Sequence, residues 1–325
     1  MAVSCVGRRG CSCYRQSSLP VQRGAFMKQK QKTLAERNAV TAKIMLAPLL
    51  TVLLVLGIFP GIYLVWTSLT DLQMNNASSG NFIWLSNYLA LVTDSSIFGS
   101  ALLKTLLFCL AALPIQFVLG YVIAKFFMAA VDMKGTGFLR TVYMFPLMIT
   151  PLSVGLFWNY LLNPRVGAVN FLLQSANLPL QEWLSDSSTA FPCIIGIYLW
   201  QWTPYVAMLI QAGLLSIPGE LYESARADGA GLLHITKSID LPMLKKVLGI
   251  SAILSLVQIV QTFELVLATT NGGPGTSTLV SAYAIYRDAF KYFQNGRACA
   301  EAVVLMVITT AISQVLAKYV LKEED

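Results

Sequence analysis

Long stretches with few charged residues limit the fold of this chain more than any other feature. A helix needs about 20 mostly apolar residues to cross the roughly 30 Å hydrocarbon layer of a bilayer. Of the 325 residues, 56% are hydrophobic and only 12% are charged, so this apolar surface cannot be buried in one soluble core. We therefore predict an all-α, polytopic membrane protein with six transmembrane helices. The predicted spans are residues 44–68, 105–124, 141–164, a segment within 191–215, 247 to about 269, and about 298–317.

The positions of the basic residues predict the orientation of the spans, because Lys and Arg resist translocation. Of the 23 basic residues, nine precede residue 44, three lie between 125 and 140, four between 223 and 246, and two after 317. With six spans, all four segments fall on one side, which we predict is the cytoplasm, together with both termini. The net charge of +7 then reflects topology and nearby anionic lipid rather than nucleic-acid binding. The opposite side receives Lys104, Arg165, Arg287, Lys291 and Arg297.

Residues 1–43 are polar and basic, and we predict a cytoplasmic extension in which residues 1–26 are disordered. An upstream start is the alternative origin of those first residues, with Met27 as the natural beginning. The pair Cys11 and Cys13 has no second pair at a spacing suited to a four-ligand zinc site, so we predict no metal. The first apolar stretch is too long, and begins too late, for a cleaved signal peptide.

A charged, glycine-broken island lies between two uncharged apolar runs, residues 187–219 and 247–263. Because both runs can enter the bilayer, the island must lie at a membrane surface. It contains Glu-Ser-Ala-Arg-Ala-Asp-Gly-Ala at residues 223–230 and, further on, Ile-Asp-Leu-Pro. We predict one short helix over residues 223–230, a turn at Gly229, and a second short helix that runs on until Pro242.

This island resembles the EAA loop of the membrane subunits of ABC importers, in which a glutamate, small residues, Asp-Gly-Ala and a distant Leu-Pro recur in this order. Ser224 stands where the family usually has alanine, and Leu233 and Thr236 fill positions that are often aromatic. An ordinary amphipathic cytoplasmic loop is the alternative interpretation. The resemblance implies that an ATPase is coupled to the chain through Glu223, Ser224, Ala225, Asp228, Gly229, Ala230, Leu241 and Pro242.

Three further segments resemble the first permease subunit of maltose-type carbohydrate importers, and the similarity runs from about residue 44 to the C-terminus. These segments are Phe-Trp-Asn-Tyr-Leu-Leu-Asn-Pro-Arg-Val-Gly-Ala-Val-Asn at 157–170, Leu-Trp-Gln-Trp-Thr-Pro-Tyr at 199–205, and Thr-Asn-Gly-Gly-Pro-Gly at 270–275.

This second resemblance implies a type I ABC importer permease fold in the cell inner membrane. It implies a permease domain at residues 44–320 with a coupling loop at 216–246, and a cytoplasmic tail at 321–325. The implied partners are a second homologous permease, a homodimeric ABC ATPase, a substrate-binding protein and the lipid bilayer. The ATPase would use ATP and Mg, and this chain would bind no cofactor.

Polar and aromatic residues inside the spans are candidates for the solute path, because an amide or indole in lipid must find a partner or face water. Gln258 shares a helical face with Gln261 and Thr262, and Pro204 must disturb the backbone around it. Glu264 is the only acid that we place within or at the end of a span, either as an acceptor for sugar hydroxyls or as an interfacial residue. Hydrogen bonding between helices, with no solute contact, is the alternative for each residue. The predicted path residues are Asn159, Trp200, Trp202, Tyr205, Gln258, Gln261, Thr262 and Glu264.

The sequence contains no recognisable catalytic set. It has one histidine, His234, in the charged island, and no Gly-x-x-x-x-Gly-Lys phosphate loop. We therefore expect a non-enzymatic subunit of an ATP-driven carbohydrate importer that works by alternating access, with ATP hydrolysed by a partner. The alternative is an ion- or proton-coupled secondary transporter, which needs buried acids and inverted repeats. Neutral oligosaccharides, glycerol phosphates and acidic oligosaccharides such as alginate fragments all stay open as solutes.

Overall fold

The computed structural model describes residues 41–76, 78, 80–93, 97–131 and 133–321, without the side chains of residues 320 and 321. The predicted extension up to residue 40, with its cysteine pair, and the last four residues lie outside the described residues. The chain divides into two units, Met1–Tyr63 and Leu64–Asp325. The described part of the first unit is helical throughout, and all the remaining helices lie in the second.

Helices account for nearly all of the regular structure in the described part of the chain. They are α1 (Thr41–Ser68), α2 (Ser86–Thr93), α3 (Phe98–Ala129), α4 (Thr136–Met148), α5 (Pro151–Leu161), α6 (Ala168–Ser175), α7 (Ala190–Leu215), α8 (Gly219–Ala227), α9 (Leu232–Val260), α10 (Glu264–Thr269), α11 (Ser281–Phe290) and α12 (Asn295–Leu321).

Five of these helices are long and apolar enough to cross a membrane by themselves: α1, α3, α7, α9 and α12. A sixth crossing is possible if α4 and α5, which are bent by 99°, count as one span. The predicted all-α membrane fold is therefore confirmed, and the predicted number of six segments agrees with the count in which α4 and α5 form one span, although several boundaries differ. Helices α3 and α12 extend beyond the predicted spans at both ends.

The third predicted span, residues 141–164, is wrong as a single helix because the chain turns sharply before Pro151. Thr150 has the extended backbone that a following proline favours, with φ −63° and ψ 144°. Its side-chain oxygen accepts a hydrogen bond from the Ser153 backbone N–H at 3.4 Å, which caps the new helix α5. The break therefore begins a second helix in a new direction.

The fifth predicted span, residues 247–269, is wrong at both ends, and the second short helix does not stop at Pro242. Helix α9 runs without interruption from Leu232 to Val260. Pro242 is tolerated because a wide π turn, Thr236–Asp240, precedes it, and the Leu241 N–H donates across that turn to the Thr236 carbonyl. After Val260 the chain leaves the helix and re-enters one only at α10.

The centre of the second unit is formed by α3, α7 and α9. Near its middle, the Phe108 ring of α3 meets the Tyr198 ring of α7 edge-on, with centroids 5.3 Å apart. Closer to the island, α7 packs on α9 at Gly213, where an added Cβ would lie 2.5 Å from a Leu244 methyl group. Gly120 of α3 likewise lies close to α7, since an added Cβ would be 3.1 Å from a Val206 methyl group, so glycines allow α7 to approach both neighbouring helices.

Gly155 allows α5 to contact α10, and its replacement with alanine should destabilise the protein. A Cβ at this position would lie 2.5 Å from the Ala268 Cβ and 3.3 Å from the Leu265 carbonyl oxygen. Overpacking of this kind costs about 1–3 kcal/mol, so we expect Gly155→Ala to lower the melting temperature of the purified protein. Gly196→Ala on α7 is the matched control, because no described atom lies within 4 Å of its added Cβ. Equal melting temperatures for the two variants would contradict this packing.

Candidate functional site

A cavity of about 380 Å³ lies beside two interruptions of the membrane helices and the proline-containing helix α7. One wall comes from the bend between α4 and α5, a second from the stretch of α7 before Pro204, and a third from the break after α9. Non-helical backbone is tolerated at membrane depth only where protein or a polar cavity surrounds it. The cavity is lined by Leu147, Met148, Ile149, Thr150, Pro151, Tyr198, Gln201, Trp202, Gln258, Gln261, Thr262, Glu264 and Leu265.

Two buried polar atoms on the α7 wall have no hydrogen-bond partner among the described residues: the Tyr198 hydroxyl oxygen and Gln201 Oε1. The Gln201 side chain is held in place because its Nε2 donates to the Ile149 carbonyl at 2.9 Å. A buried polar group without a partner costs about 1–3 kcal/mol. Both residues line the cavity, so its α7 wall is polar as well as aromatic.

Neither Tyr198 nor Gln201 is among the predicted path residues, although the sequence carried a signal for them. With Trp202 and Tyr205 they follow a spacing of three, one and three residues, which places all four on one face of α7. Trp200, which is among the predicted path residues, lies off that face.

The structure brings five predicted path residues together on the cavity wall: Trp202, Gln258, Gln261, Thr262 and Glu264. The break after α9 explains this grouping. The Phe263 N–H donates to the Gln261 carbonyl at 2.8 Å, which closes a tight turn in place of a helical one. That turn directs the end of α9 and the first residue of α10 towards the same space.

The other three predicted path residues do not line this cavity. Trp200 packs edge-on against Trp158 of α5, with ring centroids 5.6 Å apart. Asn159 donates from Nδ2 to the carbonyls of Ala268 and Thr269, at 3.2 and 2.7 Å, and so fastens α5 to α10. Tyr205 packs with the apolar cluster of α3, α7 and α9 near the island.

The predicted coupling residues lie in α8, in a compact turn directly after it, and in α9. Gly229 has a φ of +76°, which residues with a side chain adopt at a cost of about 1–2 kcal/mol. Its N–H donates to the Arg226 carbonyl at 3.0 Å, and the Ala230 N–H donates to the Ala225 carbonyl at 2.9 Å. This pair of bonds is the Schellman motif, which ends α8 and redirects the chain into α9.

The surface of this loop combines charge with exposed apolar side chains. Glu223, Ser224 and Asp228 are exposed on α8 and its end. At the start of α9, Leu232 and Leu233 are 82% and 79% exposed. Leu241 and Pro242 are also exposed. Adjacent exposed leucines outside the membrane are typical of a surface that a partner protein covers.

The prediction that Glu264 is the only acid within or at the end of a span is wrong, because Glu301 lies inside the sixth predicted span. Glu301 lies in α12 and is 1% exposed, with Oε1 3.5 Å from Arg297 Nε. The same Arg297 atom is 3.5 Å from Asp288 of α11, so the cluster joins the two helices. Among the described residues, no group of three or more His, Cys, Asp or Glu is arranged to hold a metal ion.

A bundle of membrane-crossing helices, a polar cavity between interrupted spans and an exposed loop at one end define a helical membrane transport protein. Residues 83–322 match the family described as the inner membrane component of binding-protein-dependent transport systems, and this chain belongs to that family. It is an inner-membrane protein.

Relatives and solved structures agree with this membership. The trehalose/maltose transport system permease protein MalF of Thermococcus litoralis is 31% identical, over 80% of this chain and 85% of the relative. The multiple sugar-binding transport system permease protein MsmF of Streptococcus mutans is 32% identical, over 78% and 85%. A crystal structure of a bacterial ABC transporter involved in alginate import has a chain of the same fold, with a TM-score of 0.78 and 21% identity over 91% of this chain and 100% of that chain.

Proposed function

We propose that this chain is a permease subunit of an ATP-driven importer that moves a carbohydrate into the cytoplasm. The observation that carries the proposal is the cavity between interrupted helices, whose lining includes the amides of Gln201, Gln258 and Gln261 beside the Trp202 ring. Its amides can hydrogen-bond sugar hydroxyls, and the Trp202 indole offers a flat apolar face for a pyranose ring. The sugar transport named for relatives such as MalF and MsmF supports this substrate class.

A homodimeric partner ATPase uses ATP and Mg. The energy for transport reaches this chain through the coupling loop, residues 216–246, where the ATPase would bind. The exposed Leu232 and Leu233 and the acids of α8 would seat in a groove of that ATPase. A second homologous permease completes the path, and a soluble binding protein delivers solute at the opposite face. With the loop in the cytoplasm, both termini are cytoplasmic as well.

The continuity of α9 gives a direct mechanical link between loop and cavity. This helix has 29 residues, and at about 1.5 Å per residue it extends roughly 43 Å. It begins at Leu232, beside the ATPase surface, and ends at Val260, beside the cavity residue Gln261. Displacement or rotation of the loop would therefore move the cavity wall and open it alternately to the two sides.

Purification of the protein from its native membrane tests this proposal. We expect a second permease and an ABC ATPase to remain bound, and ATP hydrolysis by the complex to rise when solute-loaded binding protein is added. The proposal would be contradicted if the chain purifies alone, or if the rate of ATP hydrolysis by the complex does not change when the binding protein is added.

Glu264 lines the cavity and can accept hydrogen bonds from solute hydroxyls. Hydrogen bonds to a charged group contribute about 1.5–3 kcal/mol, so we expect Glu264→Gln to lower the uptake rate about tenfold. The measurement is uptake of radiolabelled solute by the reconstituted complex with loaded binding protein in excess. Glu182→Gln, an exposed acid outside the cavity, is the matched control and should keep the original rate. Equal rates for the two variants would remove Glu264 from the path.

A further inference from the structure

One buried carboxylate joins three helices at the loop end of the bundle. Asp240, in the π turn of α9, is fully buried. Its Oδ2 lies 2.7 Å from Lys125 Nζ of α3 and accepts a hydrogen bond from the Tyr121 hydroxyl, also of α3, at 2.5 Å. Its Oδ1 accepts from the Tyr222 hydroxyl of α8 at 2.6 Å. Thr236 completes the group through a 2.9 Å hydrogen bond between its hydroxyl and that of Tyr121.

These five residues, which we call the Asp240 cluster, depend on one another. A buried carboxylate is tolerated only when it is paired and hydrogen-bonded, and loss of one partner leaves a charge that water cannot reach. Burial and the hydrogen bond to Asp240 raise the pKa of the Tyr222 hydroxyl, so this group stays a donor near neutral pH. The Lys125 ammonium group also lies 5.3 Å from the centre of the Tyr222 ring. Movement of α8 away from this group would therefore break the hydrogen bond of Tyr222 to Asp240 and the contact of its ring with Lys125 together.

The Asp240 cluster lies between the coupling loop and the helices that lead to the cavity. Tyr222 lies on α8, one residue before the predicted coupling residue Glu223. Lys125 and Tyr121 lie near the end of α3, which packs along α7, the helix that carries Tyr198, Gln201 and Trp202. A contact that fixes α8 to α3 consequently connects the coupling loop to the cavity wall that α7 supplies.

Resting on the proposed function above, we propose that the Asp240 cluster is a joint that makes α3 move together with the coupling loop, so that ATPase motion reaches both the α9 and the α7 walls of the cavity. Asp240 is thus a positioning residue: it touches neither solute nor ATPase. Without the joint, the loop would still move with ATP, but only α9 would follow it.

Uptake per ATP hydrolysed by the reconstituted complex is the first test. Mutations along a coupling network change the coupling by about 0.5–2 kcal/mol, so we expect this ratio to fall about threefold in Tyr222→Phe and about tenfold in Asp240→Asn. Tyr319→Phe is the matched control, because it removes an exposed hydroxyl from α12 at the same end of the bundle. Lys125→Gln should reproduce the defect, and Lys125→Arg should restore the ratio. Unchanged ratios in Tyr222→Phe and Asp240→Asn, with complexes assembled, would overturn the proposal.

A distance measurement tests the joint without knowledge of the solute. Spin labels are placed at Glu220 of α8 and Phe126 of α3, both exposed, after the native cysteines are replaced. In the otherwise unchanged complex, trapping with ATP and vanadate should leave this distance the same. In Tyr222→Phe it should change by an amount on the order of 2–5 Å. An unchanged distance in Tyr222→Phe would count against the joint, as would a changed distance with the cluster intact.

The two proposals fail in different ways. If the unchanged chain forms no ATP-hydrolysing complex, the proposed function fails. If the unchanged complex imports solute with ATP and the cluster variants do so with the same efficiency, only the proposal for the Asp240 cluster fails.

Discussion

Gly229→Pro is expected to abolish solute uptake while leaving the chain in the membrane. Proline fixes φ near −65°, whereas Gly229 has a φ of +76°. Proline also lacks the N–H that Gly229 donates to the Arg226 carbonyl. The Schellman turn cannot form, at a cost of about 3 kcal/mol or more, so α8 and the exposed Leu232 can no longer be presented together to the ATPase. Because the spans on either side are unchanged, insertion should persist.

The measurement compares uptake and ATP hydrolysis in reconstituted complexes that carry alanine or proline in this loop. We expect Gly229→Ala to lower uptake about tenfold, because a left-handed conformation costs about 1–2 kcal/mol for a residue with a side chain. Gly231→Ala is the matched control: Gly231 has a φ of −73°, and no described atom lies within 4 Å of its added Cβ. Normal uptake in Gly229→Pro would show that the turn does not transmit energy.

Trp202→Ala is expected to lower uptake about tenfold or more, because the cavity loses its largest flat apolar surface. Burial of an apolar solute face contributes about 25 cal/mol for each Å² removed from water, and a well-placed aromatic ring can add about 0.5–1.5 kcal/mol to that. The loss would fall on solute binding, so ATP hydrolysis measured without solute should persist in the assembled complex.

The chain supplies a matched control two residues away. Trp200 has the same side chain on the same helix, but it packs on Trp158 and does not line the cavity. We expect Trp200→Ala to retain most of the uptake rate with loaded binding protein in excess. If the two alanine variants are equally impaired, or if neither is, the cavity is not the solute site.

The number of membrane segments was predictable because a run of about 20 apolar residues is typical of a membrane-spanning helix. The breaks within the membrane helices were harder to predict. Pro151 marks a possible break, but the 99° bend also depends on the new helix packing against α10 through Gly155. The break at residues 261–263 contains neither glycine nor proline, so local sequence gives little warning of it. Helix α10, which follows the break, is held by a contact between segments more than 100 residues apart, the hydrogen bond from Asn159 to the Thr269 carbonyl.

The candidate site was predictable to different degrees at its two ends. The coupling loop could be predicted from its motif, because Gly229 has the positive φ that favours glycine in such a turn. The cavity could be predicted only in part, because polar residues that join helices and polar residues that line a cavity look alike in sequence. Asn159 illustrates the first case and Gln261 the second. Asp240 shows a further limit, since its partner Lys125 lies more than 100 positions earlier in the chain.

Solute uptake by proteoliposomes that contain the complete complex tests the central claim most directly. Solute-loaded binding protein is supplied outside, and ATP with Mg is enclosed inside, where the coupling loop and the ATPase should lie. We predict uptake that needs both enclosed ATP and external binding protein, and that is unaffected when proton and sodium gradients are collapsed. Uptake by this chain without ATP, driven by either ion gradient, would contradict the account.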